Sequence, residues 1–481
     1  MRFLHARDEE LELALEDVFI VPDYYDGVSR LEVNLAPDDV PGSSQPIVAA
    51  NMNAVTGKRM AETMARLGGI GVLPQDMNLD TVERITKHIY AAHPRFDTAL
   101  TVTRDATIRD VLGIIRKRAH DMVVVVDDAH RPIGVVTQSD LRERDQYTPV
   151  ERVMSTEMVL LDDGVSNEDG YNAMHRARVK AAPIVGTNGT LVGILGRDDA
   201  VRYELLRPSR TEEGRLIVAG AIGISRSSAE RARALVDMGI PMVVVDTAHG
   251  HQRRMLEALR EVRDAIAGRA TIVAGNVCTS AGTAALIEAG ADVVKVNVGP
   301  GAMCTTRMQT AVGRPSFTSV LHCARKAHEL GRKVWADGGV RHPRDVALYL
   351  AAGASRVMIG TALAGTYESP GDMKADAEGR LYKENYGMAS ARAVSDRTEG
   401  ESPFARAKKG FFREGISTSR IYLRPGFESV GAIVIDMITG VQSSFSYVGA
   451  TTLESFRKRA VVGVQTPHGY GEGTPHGRVR G

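Results

Sequence analysis

From about Arg215 to Thr366 the chain repeats one cycle: an apolar run, a glycine turn, an amphipathic helix. The apolar runs are Leu216–Ala221, Met242–Asp246, Ala270–Ala274, Val293–Val298, Lys333–Ala336 and Val357–Ile359. Helical segments such as Ser227–Met238, Gln252–Ala267 and Ser280–Glu288 lie between them. Strands that are continuously apolar, rather than alternating, predict a parallel sheet covered on both faces. Two more strands fit upstream, Pro46–Ala50 and Gly69–Leu73, with the helix Lys58–Leu67 between them. Eight such units predict an α/β fold, a (β/α)8 barrel, which takes about 250 residues. The chain has 481, so the barrel is expected to start near residue 40, break off, and resume after residue 205.

The interruption consists of two similar halves. Thr107–Arg118 (helix), Asp121–Asp127 (strand) and Gly134–Asp140 (strand into helix) make the first; Asn167–Ala177, Ala181–Gly186 and Gly193–Asp199 make the second. A duplication with a period of about 60 residues predicts two copies of one small unit packed as a pair. The expected division is 1–94 for the first part of the barrel, 95–205 for the insert, and 206–481 for the rest of the barrel with its tail. The two halves resemble a tandem pair of CBS domains (a Bateman module). That resemblance implies a site for ATP or GTP, in which the hydroxyl of Thr137 and the carboxylate of Asp140 meet a nucleotide ribose. In the second copy Gly196 stands where threonine is expected, and only Asp199 remains. The alternative for the insert is a purely structural or oligomerisation module.

The bulk numbers exclude several classes of function. A net charge of +1 steers neither nucleic acid nor a membrane surface. Three cysteines, Cys278, Cys304 and Cys323, are too few and scattered for a disulfide framework, and none has C-x-x-C spacing. The amino-terminal residues carry acids where a signal peptide needs an apolar core, and no apolar stretch of about 20 residues appears. The expected location is the cytoplasm, with no membrane or nucleic-acid partner.

One loop concentrates the chemistry. Ala291–Val298 reads as a buried strand, and Gly299-Pro300-Gly301-Ala302-Met303-Cys304-Thr305-Thr306-Arg307 follows at its carboxyl end. Barrels of this type keep their active sites at that end. The glycines allow close approach of backbone to a ligand or ion, and the turn presents a thiol flanked by two hydroxyls. Cys304 is therefore a candidate nucleophile. Cys278 and Cys323 read as small buried hydrophobes.

A barrel interrupted in this way and followed by G-P-G-x-x-C-T-T-R resembles the IMP dehydrogenase/GMP reductase family. The resemblance extends through Leu15–Pro22, Ala50–Thr56, Asp246–Gly250, Gly275–Val277, Asp337–Gly339, Met358–Thr361, Tyr386–Met388, Arg413–Gly415 and Tyr447–Ala450. It implies a TIM barrel that binds a purine 5′-monophosphate, GMP or IMP. Gly338, Gly339, Gly360 and Thr361 would cradle the phosphate at turns and helix starts, with Tyr386 adding a hydroxyl. Ala302 stands where the family usually has a serine phosphate contact. Asp337 would accept from the ribose hydroxyls, though Asp337-Gly-Gly is also what an ordinary left-handed turn after a strand looks like. Gly387, Met388 and the carboxylate of Glu414 would face the base, and Met52 and Gly415 would also belong to the substrate site. By the same resemblance Cys304 adds to C2 of the purine with Thr306 beside it. The carbonyls of Gly299, Gly301 and Cys304 would hold a monovalent cation, normally K+. Asp246, Thr247, Ala248 and Asn276 would line the cofactor site, which Ser443 and Tyr447 reach from a neighbouring subunit. Homotetramers are implied, which paired inserts can join into octamers.

The family contains two chemistries. Dehydrogenases pass hydride from IMP to NAD+ and then hydrolyse the adduct to XMP, drawing their water from an Arg-Tyr pair on a flap before the E-G motif. Residues 389–412 contain no Arg-Tyr, and no tyrosine lies between Tyr386 and Tyr422. Tyr386-Gly-Met-Ala-Ser390, Ala50-Asn-Met52 and Ser443–Tyr447 resemble the reductases, whereas the insert is habitual in dehydrogenases. The expected activity is reductive deamination of GMP to IMP with NADPH, with Cys304, Thr306 and Glu414 as catalytic residues. An IMP dehydrogenase with an unusual flap and a non-enzymatic purine-nucleotide sensor are the alternatives. The glycine-rich tail after Val464 is expected to be mobile.

Overall fold

Eight short strands close into a parallel barrel: β1 Ile47–Ala49, β2 Ile70–Leu73, β3 Val218–Ile222, β4 Met242–Asp246, β5 Thr271–Val277, β6 Val293–Val296, β7 Lys333–Asp337 and β8 Arg356–Ile359. This computed structural model describes residues 1–27, 29–40, 42–388, 390, 402–409, 411 and 415–475. Met358 of β8 pairs with Val48 of β1 to complete the ring, and Val218 of β3 pairs with Gly71 of β2 across the break in the sequence. The helices α1 Lys58–Arg66, α2 Leu79–Ala91, α3 Ser228–Asp237, α4 Arg253–Ile266, α5 Ser280–Glu288, α6 Ser316–Glu329 and α7 Pro343–Ala351 follow successive strands. The long helix α8, Val430–Tyr447, packs between α7 and α1 to finish the outer layer.

The continuous apolar runs follow from burial on both faces. Along β4, Met242 and Val244 point into the barrel, while Val243 and Val245 point out against the helices. The interior is filled by Val48, Ile70, Val72, Ala219, Val273, Trp335 and Met358, so the barrel is a packed core rather than a pore. Polar side chains enter the inward phase only at its rims.

Between β2 and β3 the chain forms two small sheets with the same strand pattern. Leu100–Thr103, Met122–Val126 and Pro132–Thr137 form one three-stranded sheet; Leu161–Asp162, Ala181–Val185 and Leu191–Gly196 form the other. In each, the central strand pairs parallel with the first and antiparallel with the third. The second copy forms its helix Asn167–Ala177 as expected, whereas the first departs from expectation in its helices. Thr107–Arg118 is not one helix: Ile108–Leu112 ends at Gly113 and only the 3-10 turn Ile115–Lys117 follows, a break suited to glycine's poor helix propensity. Beyond Thr137 the first copy continues in turns, where Arg142-Glu-Arg-Asp145 supplies charge but no apolar face. The second copy forms the helix Arg197–Leu205.

The insert is tied to the barrel through buried charge. Glu62 of α1 has a fully buried side chain and pairs with Arg66 at 2.6 Å and with Arg118 of the insert at 2.5 Å. Asp97, at the start of the insert, accepts from the same two arginines. The tail is more ordered than its composition predicts. Val461–Val464 joins Arg2–Phe3 and Val18–Val21 in a sheet, and Pro467–Glu472 forms a helix with Tyr470 5.3 Å beneath the Arg344 guanidinium. Among the described residues no helix is long and apolar enough to cross a membrane.

Candidate active site

A cleft of about 910 Å³ opens at the carboxyl end of the barrel strands. The loop after β6 supplies Cys304, the one exposed cysteine of the three. Burial pushes the Cys323 thiol up to about 12 and the Cys278 thiol upward as well. The Cys304 thiol lies 3.2 Å from the Thr306 hydroxyl, and both face the cleft.

Two other segments are stitched to this loop. Cys304 forms an isolated bridge with Gly415; Ile416 N–H donates to the Met303 carbonyl at 3.0 Å, and Gly387 N–H donates to the Ile416 carbonyl at 2.9 Å. The strand Leu381–Asn385 pairs antiparallel with Ser419–Tyr422, so one hairpin carries both Tyr386–Met388 and Gly415 to the thiol. Under that hairpin Lys383 is buried, with Nζ 2.6 Å from the Ser369 carbonyl, and burial lowers its ammonium to about 7. Gly387 and Met388 line the cleft, whereas Tyr386 and Gly415 do not. Glu414 and most of 389–412 lie outside the described residues.

The predicted phosphate cradle lines the same cleft beside the cysteine loop. Gly338 and Gly339 both adopt φ of +80°, the left-handed region that favours glycine. A Cβ on Gly339 would come within 3.2 Å of Pro300, so this turn packs directly on the cysteine loop. Gly338 gives its N–H to the Met358 carbonyl at 3.1 Å, while among the described residues the Gly339 N–H has no acceptor. Gly360 and Thr361 open the short helix Thr361–Ala364, with the Met52 sulfur against Gly360. Gly299 and Gly301 line the same wall, and the Gly301 carbonyl accepts from Cys304 N–H at 3.0 Å. Among the described residues no three His, Cys, Asp or Glu side chains are placed to hold a metal.

Asp246, Thr247, Ala248 and Asn276 line the adjoining part of the cleft. Asp337 belongs with them: Asn276 Nδ2 donates to its Oδ2 at 3.0 Å. Two residues outside the sequence expectation complete this cluster. Asn51 donates to Asp246 Oδ2 at 2.8 Å, and Lys295 reaches both acids. A lysine inside the run Val293-Val-Lys-Val296 was the visible signal, because a charge in a buried strand must be paired. Gln75, Asp76, Ser225 and Arg231 form the far wall, which no motif marked.

Ser443 and Tyr447 do not face this cleft. They lie at the carboxyl end of α8, where Arg30 donates to Ser443 at 3.2 Å and sits 5.6 Å over the Tyr447 ring, beside a separate cleft of about 320 Å³. Thr137 and Asp140 are likewise remote, in the insert: Asp140 accepts from Thr137 N–H and hydroxyl, each at 2.8 Å. Asp199 is committed elsewhere, paired with Arg202 at 2.6 Å, and a Cβ on Gly196 would lie 2.5 Å from its carboxylate.

Residues 12–476 match the model of the IMP dehydrogenase / GMP reductase domain. The chain belongs to that family. It is 46% identical over 475 residues to the GMP reductase of Mycobacterium tuberculosis (strain ATCC 25618 / H37Rv), an alignment covering 99% of each chain. Identity to the inosine-5′-monophosphate dehydrogenase of Aquifex aeolicus (strain VF5) is 35% over 484 residues, covering 96% of this chain and 95% of the other. Its fold is similar to a cysteine-to-alanine variant of Trypanosoma brucei GMP reductase solved with guanosine 5′-monophosphate. The TM-score there is 0.69 and the identity 31%, over 99% of this chain and 100% of that one.

Proposed function

We propose that this protein is an oxidoreductase that deaminates GMP reductively to IMP and ammonia, with NADPH as reductant, in purine salvage and nucleotide balance. The observation that carries the choice of direction is the sequence of 389–412, which has no Arg-Tyr pair to activate a hydrolytic water. The higher identity to a GMP reductase than to an IMP dehydrogenase supports it.

The Cys304 thiolate adds to C2 of GMP, and the 2-amino group takes up a proton and leaves as ammonia, which gives a thioimidate. Thr306, 3.2 Å from the sulfur, and Glu414, next in sequence to the bridging Gly415, manage that proton. NADPH, when bound, supplies hydride to C2, and expulsion of the thiolate yields IMP. Gly339, Gly360 and Thr361 hold the phosphate, Asp337 the ribose, and Gly387 and Met388 the base. Asp246, Thr247, Ala248 and Asn276 face the nicotinamide end, and Ser443 and Tyr447 complete the site of a neighbouring subunit in a homotetramer. The carbonyls of Gly299, Gly301 and Cys304 would hold K+: these are neutral oxygens, suited to a large, weakly hydrated ion, and Gly301 retains a lone pair beyond its bond to Cys304. Such an ion would brace the cysteine loop.

Nicotinamide absorbance decides between the two directions. GMP with NADPH should lose absorbance, and IMP with NAD+ should gain none; robust XMP formation from IMP would overturn the assignment. The insert, taken as a CBS pair, would bind ATP or GTP at Thr137 and Asp140 and shift the population of tetramers and octamers. Deleting residues 95–205 should remove nucleotide sensitivity of the rate. Unchanged ATP and GTP responses after deletion would leave the insert a structural module.

A further inference from the structure

Asp246, Lys295 and Asp337 all occupy the inward phase of their strands, one step above Val244, Val293 and Trp335 of the barrel core. Lys295 uses its ammonium completely. Nζ lies 3.0 Å from Asp246 Oδ1, 2.5 Å from Asp337 Oδ2 and 2.5 Å from Asn276 Oδ1, three partners for three N–H groups. The lysine side chain is 3% exposed, whereas those of Asp246 and Asp337 are 19% and 21% exposed. The cation is therefore sealed beneath two acids that look into the cleft.

The span from β6 to β4 crosses β5, and the register places Gly275 directly between Asp246 and Lys295. A Cβ at 275 would lie 2.7 Å from Lys295 Cβ, so the absence of a side chain there keeps the path open. Asp246 Oδ2 is steadied by Asn51, and Asp337 Oδ2 also accepts from Asn276. Among the described residues Asp337 Oδ1 has no partner and is available to a ligand. For barrel stability alone this is a poor arrangement, because apolar residues of the same volume do as well as a buried ion cluster. What it provides is one fixed charge shared by two carboxylates.

We infer that Lys295 is a positioning residue that aims Asp337 at the substrate ribose and Asp246 at the cofactor, and so joins the two binding sites through a single ammonium. The inference rests on the proposed function, which assigns those two acids to different ligands. Burial would push the lysine's ammonium down, but the two carboxylates hold it well above its ordinary value, so it stays charged throughout the working range. The titratable groups facing it are Asp246 of β4 and Asp337 of β7; Tyr349 of α7 lies behind Asp337, its hydroxyl on the Gly338 carbonyl at 3.0 Å. Without the cation two carboxylates share one site, and like charges there favour uptake of a proton.

The test uses full-length Lys295→Met and Lys295→Gln, with Lys295→Arg as the variant that keeps the charge. Steady-state NADPH oxidation yields KM for both ligands, and calorimetry with GMP, IMP and NADP+ yields affinities independent of turnover. Met and Gln should weaken both ligands by about tenfold or more. Arg should recover much of both. Constants within about twofold of the parent for either ligand, with only the melting temperature lowered, would overturn the inference and leave a structural lysine. Failure of the parent to oxidise NADPH with GMP would count against the functional assignment alone. The calorimetric series would still judge Lys295 on whichever purine nucleotide and dinucleotide bind.

Discussion

Replacing Cys304 by alanine should stop NADPH oxidation by GMP, lowering kcat by a factor on the order of 10⁴ or more, while GMP still binds. The size follows from the role: with the nucleophile gone, no covalent adduct forms, and ammonia has no path out that the remaining residues can supply. Binding should survive because the proposed phosphate and ribose contacts come from other strands, at Gly339, Gly360, Thr361 and Asp337. Cys278→Ala and Cys323→Ala are the controls. Their thiols are pushed up by burial and lie outside the cleft, so both variants should retain turnover. Turnover in Cys304→Ala above about a tenth of the parent rate would remove the cysteine from the mechanism. Thiol trapping separates the enzyme from a nucleotide sensor, since only the enzyme has a reactive thiol that GMP protects.

The barrel was legible because burial on both faces writes an unbroken apolar run, and the helix boundaries fell within one or two residues for Ser280–Glu288 and Arg253–Ile266. The cysteine loop was legible because close approach demands glycine, and glycine leaves a mark in the sequence. Lys295 was harder to read. One lysine in an apolar strand signals a buried pair, but its partners on β4 and β7 depend on which phase faces inward and on Gly275 leaving the path open. The break of the first insert helix at Gly113 depends equally on context, since glycine is tolerated in many helices when packing favours them. The seam between insert and barrel left no local trace at all, because Glu62 and Arg118 stand 56 residues apart.

That seam carries the second large effect. Arg118→Met should destabilise the fold by about 3–5 kcal/mol, because it leaves Glu62 and Asp97 to share Arg66 in a buried site. Burial alone would push the Glu62 carboxyl up; Arg66 and Arg118 together hold it well below the usual carboxylate range. A depressed carboxyl contributes stability that is present above its unfolded pKa and lost as pH falls through the folded one. The parent should therefore keep this contribution across neutral pH and lose it only in acid. With Arg118 gone, burial is less fully opposed, the carboxyl rises, and protonation relieves the unpaired charge. The loss in melting temperature should thus be larger near pH 8 than near pH 5. Adding Glu62→Gln to Arg118→Met should restore part of the stability, since it removes the charge left uncompensated, and a double-mutant cycle would measure the coupling directly. Thermal unfolding at the two pH values checks all three statements. An Arg118→Met penalty below about 1 kcal/mol that is indifferent to pH would place the insert's attachment in its apolar contacts rather than in this cluster.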